Sequence, residues 1–369
     1  MKVIIIDPIN GKYSHAIFNA TFIEAILRIT SLSECYALLE ESQLKLPVFK
    51  QIEKDYYNIK FKSLSNLSKN KFGYWIRNIM NFIKLCSLLK KNHFEILYIL
   101  ASDNIFIPLL LPLLERKFNV KIFVILHNNI ENSKNSNIKK WLWSKVLNEN
   151  IKGIVLADFL EKKGKKFFES KHIYTIKHPS YLHLKSVNNL SNKIQKKYDF
   201  LLLGRHSDLF FEKGFSDRFF STCSEYTKNR KIVLIKRESK VIFDSKGVYV
   251  EDYKFPLSEK EYWELLQSSK FLIIPPSAGE RLTASGVHID AITLGIPTIA
   301  PNKGAFKEFT PKSSQCLLYD DSSIDKCFAK ALDINDATYR KLSKDLVIMA
   351  QRLSIFNLTN SIEYFMKDG

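Results

Sequence analysis

Short uninterrupted apolar runs alternate along the chain with longer stretches of helical period. Val3–Ile6, Ile96–Leu100, Ile122–Leu126 and Ile154–Leu156 are too short to be helices and read as buried strands. Between them, Ala16–Ile29, Leu67–Asn92, Ile105–Arg116, Ile138–Leu147 and Phe159–Glu169 repeat apolar residues every three or four positions, as a helix packed on a sheet does. Ser33–Ser63 is mixed, with strand-like pieces at Cys35–Leu39 and Ile59–Phe61. Ile173–Ile176 closes this series. A new one opens at Phe200–Leu203 and runs through Lys231–Ile235, Glu259–Ser268, Phe271–Ile274, Val287–Leu294 and Thr298–Ala300. Asn302–Phe306 reads as a loop, Leu317–Tyr319 as a short strand, and Ser322–Leu332, Thr338–Leu353 and Phe356–Met366 as helices. Strands that alternate with helices predict parallel sheets with helices on their faces. The two series are separated by Ser186–Lys197, a polar stretch with three Asn, two Ser and three Lys. The pattern therefore predicts an α/β chain with a domain over 1–185, a linker over 186–197, a second domain over 198–353 and a terminal helical segment over 354–369.

Phe271–Pro301 is the most informative stretch. A buried strand runs into Pro275-Pro276-Ser277, then Glu280 and Arg281. Ser285 and Gly286 precede a helix that carries Asp290. Gly295 fits the end of that helix, where a left-handed backbone is needed, and Pro297 cannot continue it. Parallel sheets bind ligands where strand C-termini meet helix N-termini, and the loop between Glu280 and Ser285 lies there. Gly204-Arg205 and Lys213-Gly214 follow the first strand of the second series, and Lys236-Arg237 follows the next. In the first series, Gly11 lies in the loop after the first strand, His15 and Asn19 stand one turn apart at the start of the first helix, and His127-Asn128 follows a later strand. A tight turn at Gly11 and the N-terminus of that helix would suit an anion.

Composition changes this picture in two ways. The 369 residues are 46% hydrophobic, enough for two cores, yet no run of 18 apolar residues exists, so no spanning helix is expected. MKVIIIDP reads as a first strand; the apolar region of a signal peptide would be longer. Five scattered cysteines without a CxxC fit reduced thiols in a cytoplasm and no metal site. The net charge is +18, and it is uneven: residues 1–185 hold 29 Lys/Arg against 15 Asp/Glu, whereas residues 186–369 hold 27 against 23. Leu67–Asn92 has six cations, no anion and an aromatic and aliphatic stripe, the make-up of an interfacial helix. A peripheral, salt-reversible contact with anionic membrane is therefore expected of the first domain. Nucleic acid is a weaker expectation, because the cations are spread over several elements.

Pro276-Ser277, Glu280, Asp290-Ala291 and Gly295-Ile296-Pro297-Thr298-Ile299-Ala300 resemble the donor-binding segment of GT-B glycosyltransferases, the retaining family-4-like group above all. That group carries two glutamates eight residues apart. Here Asp290 stands ten after Glu280, and Ala284-Ser285-Gly286 replaces the usual Gly-Phe-Gly. Gly204-Arg205 and Lys213 are similar to the group's diphosphate-binding residues, with a somewhat long spacer. The resemblance implies two Rossmann-like domains around a cleft and a terminal helix that crosses back. It implies transfer of a sugar from a nucleotide-sugar donor without a metal or other cofactor. Arg205 and Lys213 would bind diphosphate, Asp290 the ribose, and Glu280, Arg281 and Ser285 the donor sugar or phosphate, with Arg237 able to reach the same region. His15, Asn19 and His127 would meet a saccharide acceptor. Joined to the charge pattern, this implies a lipid-linked acceptor at the cytoplasmic face of the plasma membrane, in bacterial envelope polysaccharide synthesis. Two other readings stay open here. One is a GT-B nucleotide-sugar epimerase, for which Asp103 and Glu131 are the available carboxylates. The other is a basic, non-catalytic nucleic-acid-binding protein.

Overall fold

The computed structural model describes residues 1–9, 15–64, 71–184, 187, 196–203, 215–226, 233–236, 249–252, 257–275, 284–320 and 323–368. The chain divides into two compact units. One contains Met1–Pro179 and Ile355–Gly369; the other contains Ser180–Arg281 and Ser285–Ser354. Most of the polar stretch 186–197 lies outside the described residues.

The first unit is built on a seven-stranded, wholly parallel sheet. Its strands are β1 (Lys2–Ile6), β2 (Glu34–Glu40), β3 (Ile59–Leu64), β4 (Ile96–Ile99), β5 (Lys121–Ile125), β6 (Ile151–Val155) and β7 (Ile173–Thr175), in the order β3-β2-β1-β4-β5-β6-β7. Ile4 pairs with Tyr36 on one side and Leu97 on the other. Both faces of the central strands are covered, which is why Val3–Ile6, Ile96–Ile99 and Ile122–Ile125 are unbroken apolar runs. The chain steps outward from β1 to β3, then returns to β4 and steps the other way. The order thus reverses between β1 and β4, the place where open α/β sheets form a ligand crevice.

Helices α1 (Ala16–Leu27), α2 (Glu41–Leu44), α3 (Pro47–Asp55), α4 (Lys71–Lys91), α5 (Phe106–Phe118), α6 (Asn129–Ser133), α7 (Asn137–Val146) and α8 (Asp158–Phe168) belong to this unit. α4 packs on α5, α5 on α7 and α7 on α8, as one row. Within α4, Arg77 is only 3% exposed, beside Asn78, so it is not one of the surface cations that the composition of Leu67–Asn92 implied. Helix α3, unforeseen in the mixed segment, starts on Pro47 in its first turn, where a missing N–H costs nothing.

The second unit carries a four-stranded parallel sheet in the order β13-β12-β11-β8, formed by β8 (Tyr198–Leu201), β11 (Ser269–Ile273), β12 (Thr298–Pro301) and β13 (Leu318–Tyr319), and a separate parallel pair, β9 (Val233–Lys236) with β10 (Tyr249–Asp252). Its helices are α9 (Phe215–Tyr226), α10 (Glu259–Gln267), α11 (Gly286–Thr293), α12 (Gly304–Phe309), α13 (Ile324–Asp333) and α14 (Asp336–Arg352). Ser258 opens α10 with a reciprocal cap: its hydroxyl accepts from the Glu261 N–H and the Glu261 carboxylate accepts from the Ser258 N–H. α11 ends at Gly295, whose φ of +66° is the left-handed conformation anticipated there. A Cβ at Gly295 would also lie 2.9 Å from the Ser343 backbone oxygen, so both the dihedral and the packing require glycine. Helix α12 replaces the loop expected over 302–306; its six residues are too few to display a helical period.

The last helix, α15 (Ile355–Asp368), belongs to the first unit and packs on α1, with the Thr359 hydroxyl donating to the Ala25 carbonyl at 3.1 Å. α1 is therefore held between the sheet and α15, and nearly every side chain it carries is buried. Among the described residues no helix is long and apolar enough to cross a membrane.

Candidate active site

In the first unit the polar side chains gather at the C-terminal ends of the strands. Asp7, the first residue after β1, is buried and accepts from the Asn19 side-chain amide at 2.6 Å and from the Ile9 N–H at 3.1 Å. The same Asn19 nitrogen donates to Gln43 at 3.2 Å. Asn19 is thus inside the unit, tying α1 to the end of β1 and to α2. Expected as an acceptor contact, Asn19 is engaged within the unit and has no exposed surface in this structure.

His15 caps α1 in the left-handed conformation, φ 58°, uncommon for a residue with a Cβ, and its carbonyl accepts from the Asn19 N–H at 2.8 Å. That backbone turn sets its imidazole against His127, which follows β5; the ring centroids are 4.4 Å apart at 89°. Phe18, one turn along α1, lies edge-on to His127 at 4.9 Å and also touches the ring of His178, which follows β7, at 5.3 Å. Three histidines, one at the start of α1 and two following β5 and β7, are therefore packed around one phenylalanine. The expectation brought His15 and His127 to one place, and the structure adds His178, Phe18 and Asp7. A polar residue within two positions of the end of each buried apolar run would have found Asp7 and His178.

Burial disfavours the charged form of all three imidazoles. Burial lowers the pKa of His15, against a smaller opposing pull from Asp7. Burial pushes His127 well below the usual imidazole range, with the neighbouring His15 and His178 adding to the shift and a backbone hydrogen bond at Leu100 opposing it. His178 is brought down to about 4 by burial, although its Nδ1 lies 3.1 Å from the Pro179 carbonyl. Neutral imidazoles can donate from one nitrogen and accept at the other. The His127 Nε2 is buried without a hydrogen-bond partner, an unusual state for a polar atom and one a ligand hydroxyl would relieve. Asp103 and Glu131, the carboxylates an epimerase would need, are otherwise engaged: Asp103 caps the start of α5 by accepting from the Ile105 and Phe106 N–H groups, and Glu131 pairs with Lys134 at 3.1 Å.

In the second unit, Ser285 caps α11, its hydroxyl accepting from the His288 N–H at 3.4 Å. One turn further, the Asp290 carboxyl accepts a hydrogen bond from the Tyr262 hydroxyl. Burial raises the Asp290 pKa to about 7, and Tyr262 opposes this only in part. Asp290 in turn raises the pKa of Tyr181 and Tyr262, whose own burial is the larger cause. A carboxyl held near neutrality by its surroundings, on the helix that follows a parallel strand, has the mark of a functional group. Gly11, Gly204, Arg205, Lys213, Arg237, Glu280 and Arg281 lie outside the described residues.

Solved structures with this layout are known. The chain superposes over its whole length on HepE of Anabaena, solved with UDP and glucose, with a TM-score of 0.66 at 11% identity and all of that chain covered. The fold is GT-B. The lipopolysaccharide outer core galactosyltransferase WaaB also matches end to end, with a TM-score of 0.64 at 14% identity. So does the N-terminal domain of Candida albicans trehalose-6-phosphate phosphatase, at 0.68 and 11% identity, covering 96% of that chain. No family model matches the sequence, and no curated protein matches it. At these identities the likeness establishes the GT-B fold alone, and chemistry has to be argued from the site.

Proposed function

We propose that this chain is a glycosyltransferase that moves a sugar from a nucleotide-sugar donor to a saccharide acceptor. The observation that carries the reading is the pair of polar clusters, each at the strand-end, helix-start edge of its own parallel sheet. One presents neutral imidazoles and the other a carboxyl poised near neutrality. The printed ligands of HepE, UDP and glucose, and the name of WaaB support it.

In this reading the second unit holds the donor. Asp290 takes the ribose hydroxyls, Gly204, Arg205, Lys213 and Arg237 surround the diphosphate, and Glu280, Arg281 and Ser285 meet the sugar or phosphate. The bond between the sugar C1 and the β-phosphate oxygen breaks, a bond from C1 to an acceptor hydroxyl forms, and the acceptor proton is released. Charge then accumulates on the departing diphosphate, and fixed cations aimed at it lower the barrier. The first unit contributes His127, with its buried unpartnered nitrogen toward a sugar hydroxyl, and His15 beside it. Gly11 would shape the loop before α1. The acceptor is carried on a lipid, and the enzyme works as a peripheral protein at the cytoplasmic face of the plasma membrane in envelope polysaccharide synthesis. The cation surplus of residues 1–185 supports that placement.

A thermal-shift screen of nucleotides and nucleotide sugars tests the donor side. A donor present at ~100 times its dissociation constant should stabilise the chain by about 2.7 kcal/mol. If no nucleotide or nucleotide sugar raises the melting temperature, the reading is wrong. No divalent metal is needed in this scheme, because the cations do its electrostatic work. Donor turnover is therefore expected to persist in EDTA, and a strict requirement for Mg²⁺ or Mn²⁺ would contradict the cationic site.

A further inference from the structure

The row α4–α5–α7 of the first unit exposes a continuous run of large apolar side chains. On α4, Ile76, Ile79, Met80 and Ile83 recur at helical spacing on one face, Ile83 being 61% exposed. Leu109 and Leu113, one turn apart on α5, are 55% and 59% exposed. Ile138 and Trp141 on α7 reach 69% and 57%. Because these helices pack on one another in succession, the stripes form one surface instead of three isolated exposures. A small pocket of about 20 Å³ lies between α4 and α5, lined by Phe82, Leu85, Leu110 and Leu114 and reaching Ile6 and Ile99 at the ends of β1 and β4. Scattered exposed apolar residues need no explanation, but a contiguous field of them marks a surface with a partner.

Charge selects the partner. α4 and α7 carry no acidic residue; α5 has Glu115 alone, whose carboxylate accepts from Asn150. Lys84 stands on α4, Arg116 and Lys117 on α5, and Lys139, Lys140 and Lys145 on α7, of which Lys140 pairs with Glu169 at 2.8 Å. A second copy docking through a two-fold axis would set this cationic face against itself. An anionic, apolar-cored surface complements it in both respects.

We propose that α4, α5 and α7 together form the face by which this chain lies on an anionic phospholipid bilayer, with their apolar side chains inserted among the acyl chains and the lysines and arginines at the headgroups. The proposal deepens the membrane placement above by naming the surface and by making insertion, not charge alone, the anchor. Vesicle binding is read without donor or acceptor, so its outcome and that of the donor screen are separable.

The test is co-sedimentation of the full chain with phosphatidylcholine vesicles, with and without about a third phosphatidylglycerol, at low and high salt. Wild type should bind the anionic vesicles, and high salt should remove only part of the bound protein. The variant Ile83→Ser/Leu113→Ser/Trp141→Ser changes one exposed residue per helix and should fold normally by circular dichroism. It should lose the salt-resistant fraction, with partitioning at least ~10-fold weaker. The variant Lys139→Gln/Lys140→Gln/Lys145→Gln should keep the salt-resistant fraction and lose affinity at low salt. Three results would overturn the proposal. The first is wild type that ignores anionic vesicles at low salt, and the second is a serine variant that binds as wild type does. The third is a wild-type dimer in sedimentation equilibrium that the serine variant dissociates, without vesicle binding by either.

Discussion

Arg205→Ala is expected to slow release of nucleoside diphosphate from the donor by ~10²-fold or more while leaving the chain folded, the scale seen when one preorganised donor of hydrogen bonds to a developing anion is removed. The diphosphate carries more negative charge as the glycosidic bond breaks than in the bound donor, so a guanidinium aimed at it acts more on turnover than on binding. The planar fork can hold two phosphate oxygens at once, and each charge-assisted contact is about twice as strong as a neutral one. Arg205→Lys keeps the charge but not the fork and should fall between wild type and alanine. Single-turnover release of the diphosphate, with circular dichroism as the folding control, measures this. Near-normal release from a folded Arg205→Ala chain would remove Arg205 from the site.

Asp290→Asn is expected to raise stability at pH 8 and lower donor affinity at the same time. The sign follows from the raised carboxyl pKa, about 7 in the folded chain against an ordinary 3.8. Between those values the folded state holds a proton that the unfolded state gives up. Stability therefore declines as pH rises through that window, and the deficit is complete above about pH 7. A gap of that size corresponds to on the order of 2–4 kcal/mol. The asparagine oxygen can still accept from Tyr262, so the variant keeps the hydrogen bond and loses the buried charge. His288, in the same unit, works in the opposite direction: burial brings its pKa down to about 4, so its contribution is lost as pH falls below its ordinary value of 6.5. Wild type and variant share that effect, and the difference between them isolates Asp290. Urea denaturation from pH 4.5 to 8 should show the two curves meeting at the acid end and separating as pH rises. Donor affinity should fall about tenfold, the value of one charge-assisted ribose contact. An Asp290→Asn chain that is less stable than wild type at pH 8 would refute the buried-charge account, and one that binds donor equally well would remove Asp290 from the donor site. A residue that destabilises the fold in its ionised form fits a place kept for binding.

The three histidines of the first unit carry an acid liability of their own. Each has its pKa lowered by burial, so each stays neutral in the folded chain at pH values where an unfolded histidine would be charged. Their stabilising contribution is lost as pH falls below about 6.5.

Residue order was enough to establish the α/β class, the parallel strands and the glycine that ends α11. Apolar runs buried on both faces and a left-handed helix end are local requirements, visible along the chain. It also placed His15 at a helix start and His127 at a strand end. What those residues touch was set by packing between distant segments. Asn19 shares a helix face with His15 by period, yet the end of β1 places Asp7 beside its amide and turns it into a tie between elements. Arg77 sits among exposed lysines in the sequence and beneath them in the fold. His178, after the edge strand β7, meets Phe18 on α1 through a contact between segments more than a hundred residues apart, which no local pattern encodes. Charge marked the stripe of α4 as interfacial, but those of α5 and α7 read as ordinary buried faces, since a helical period reports that a side is apolar and not which way it points. The packing of those helices on one sheet determined which of their apolar residues were covered and which were left facing outward.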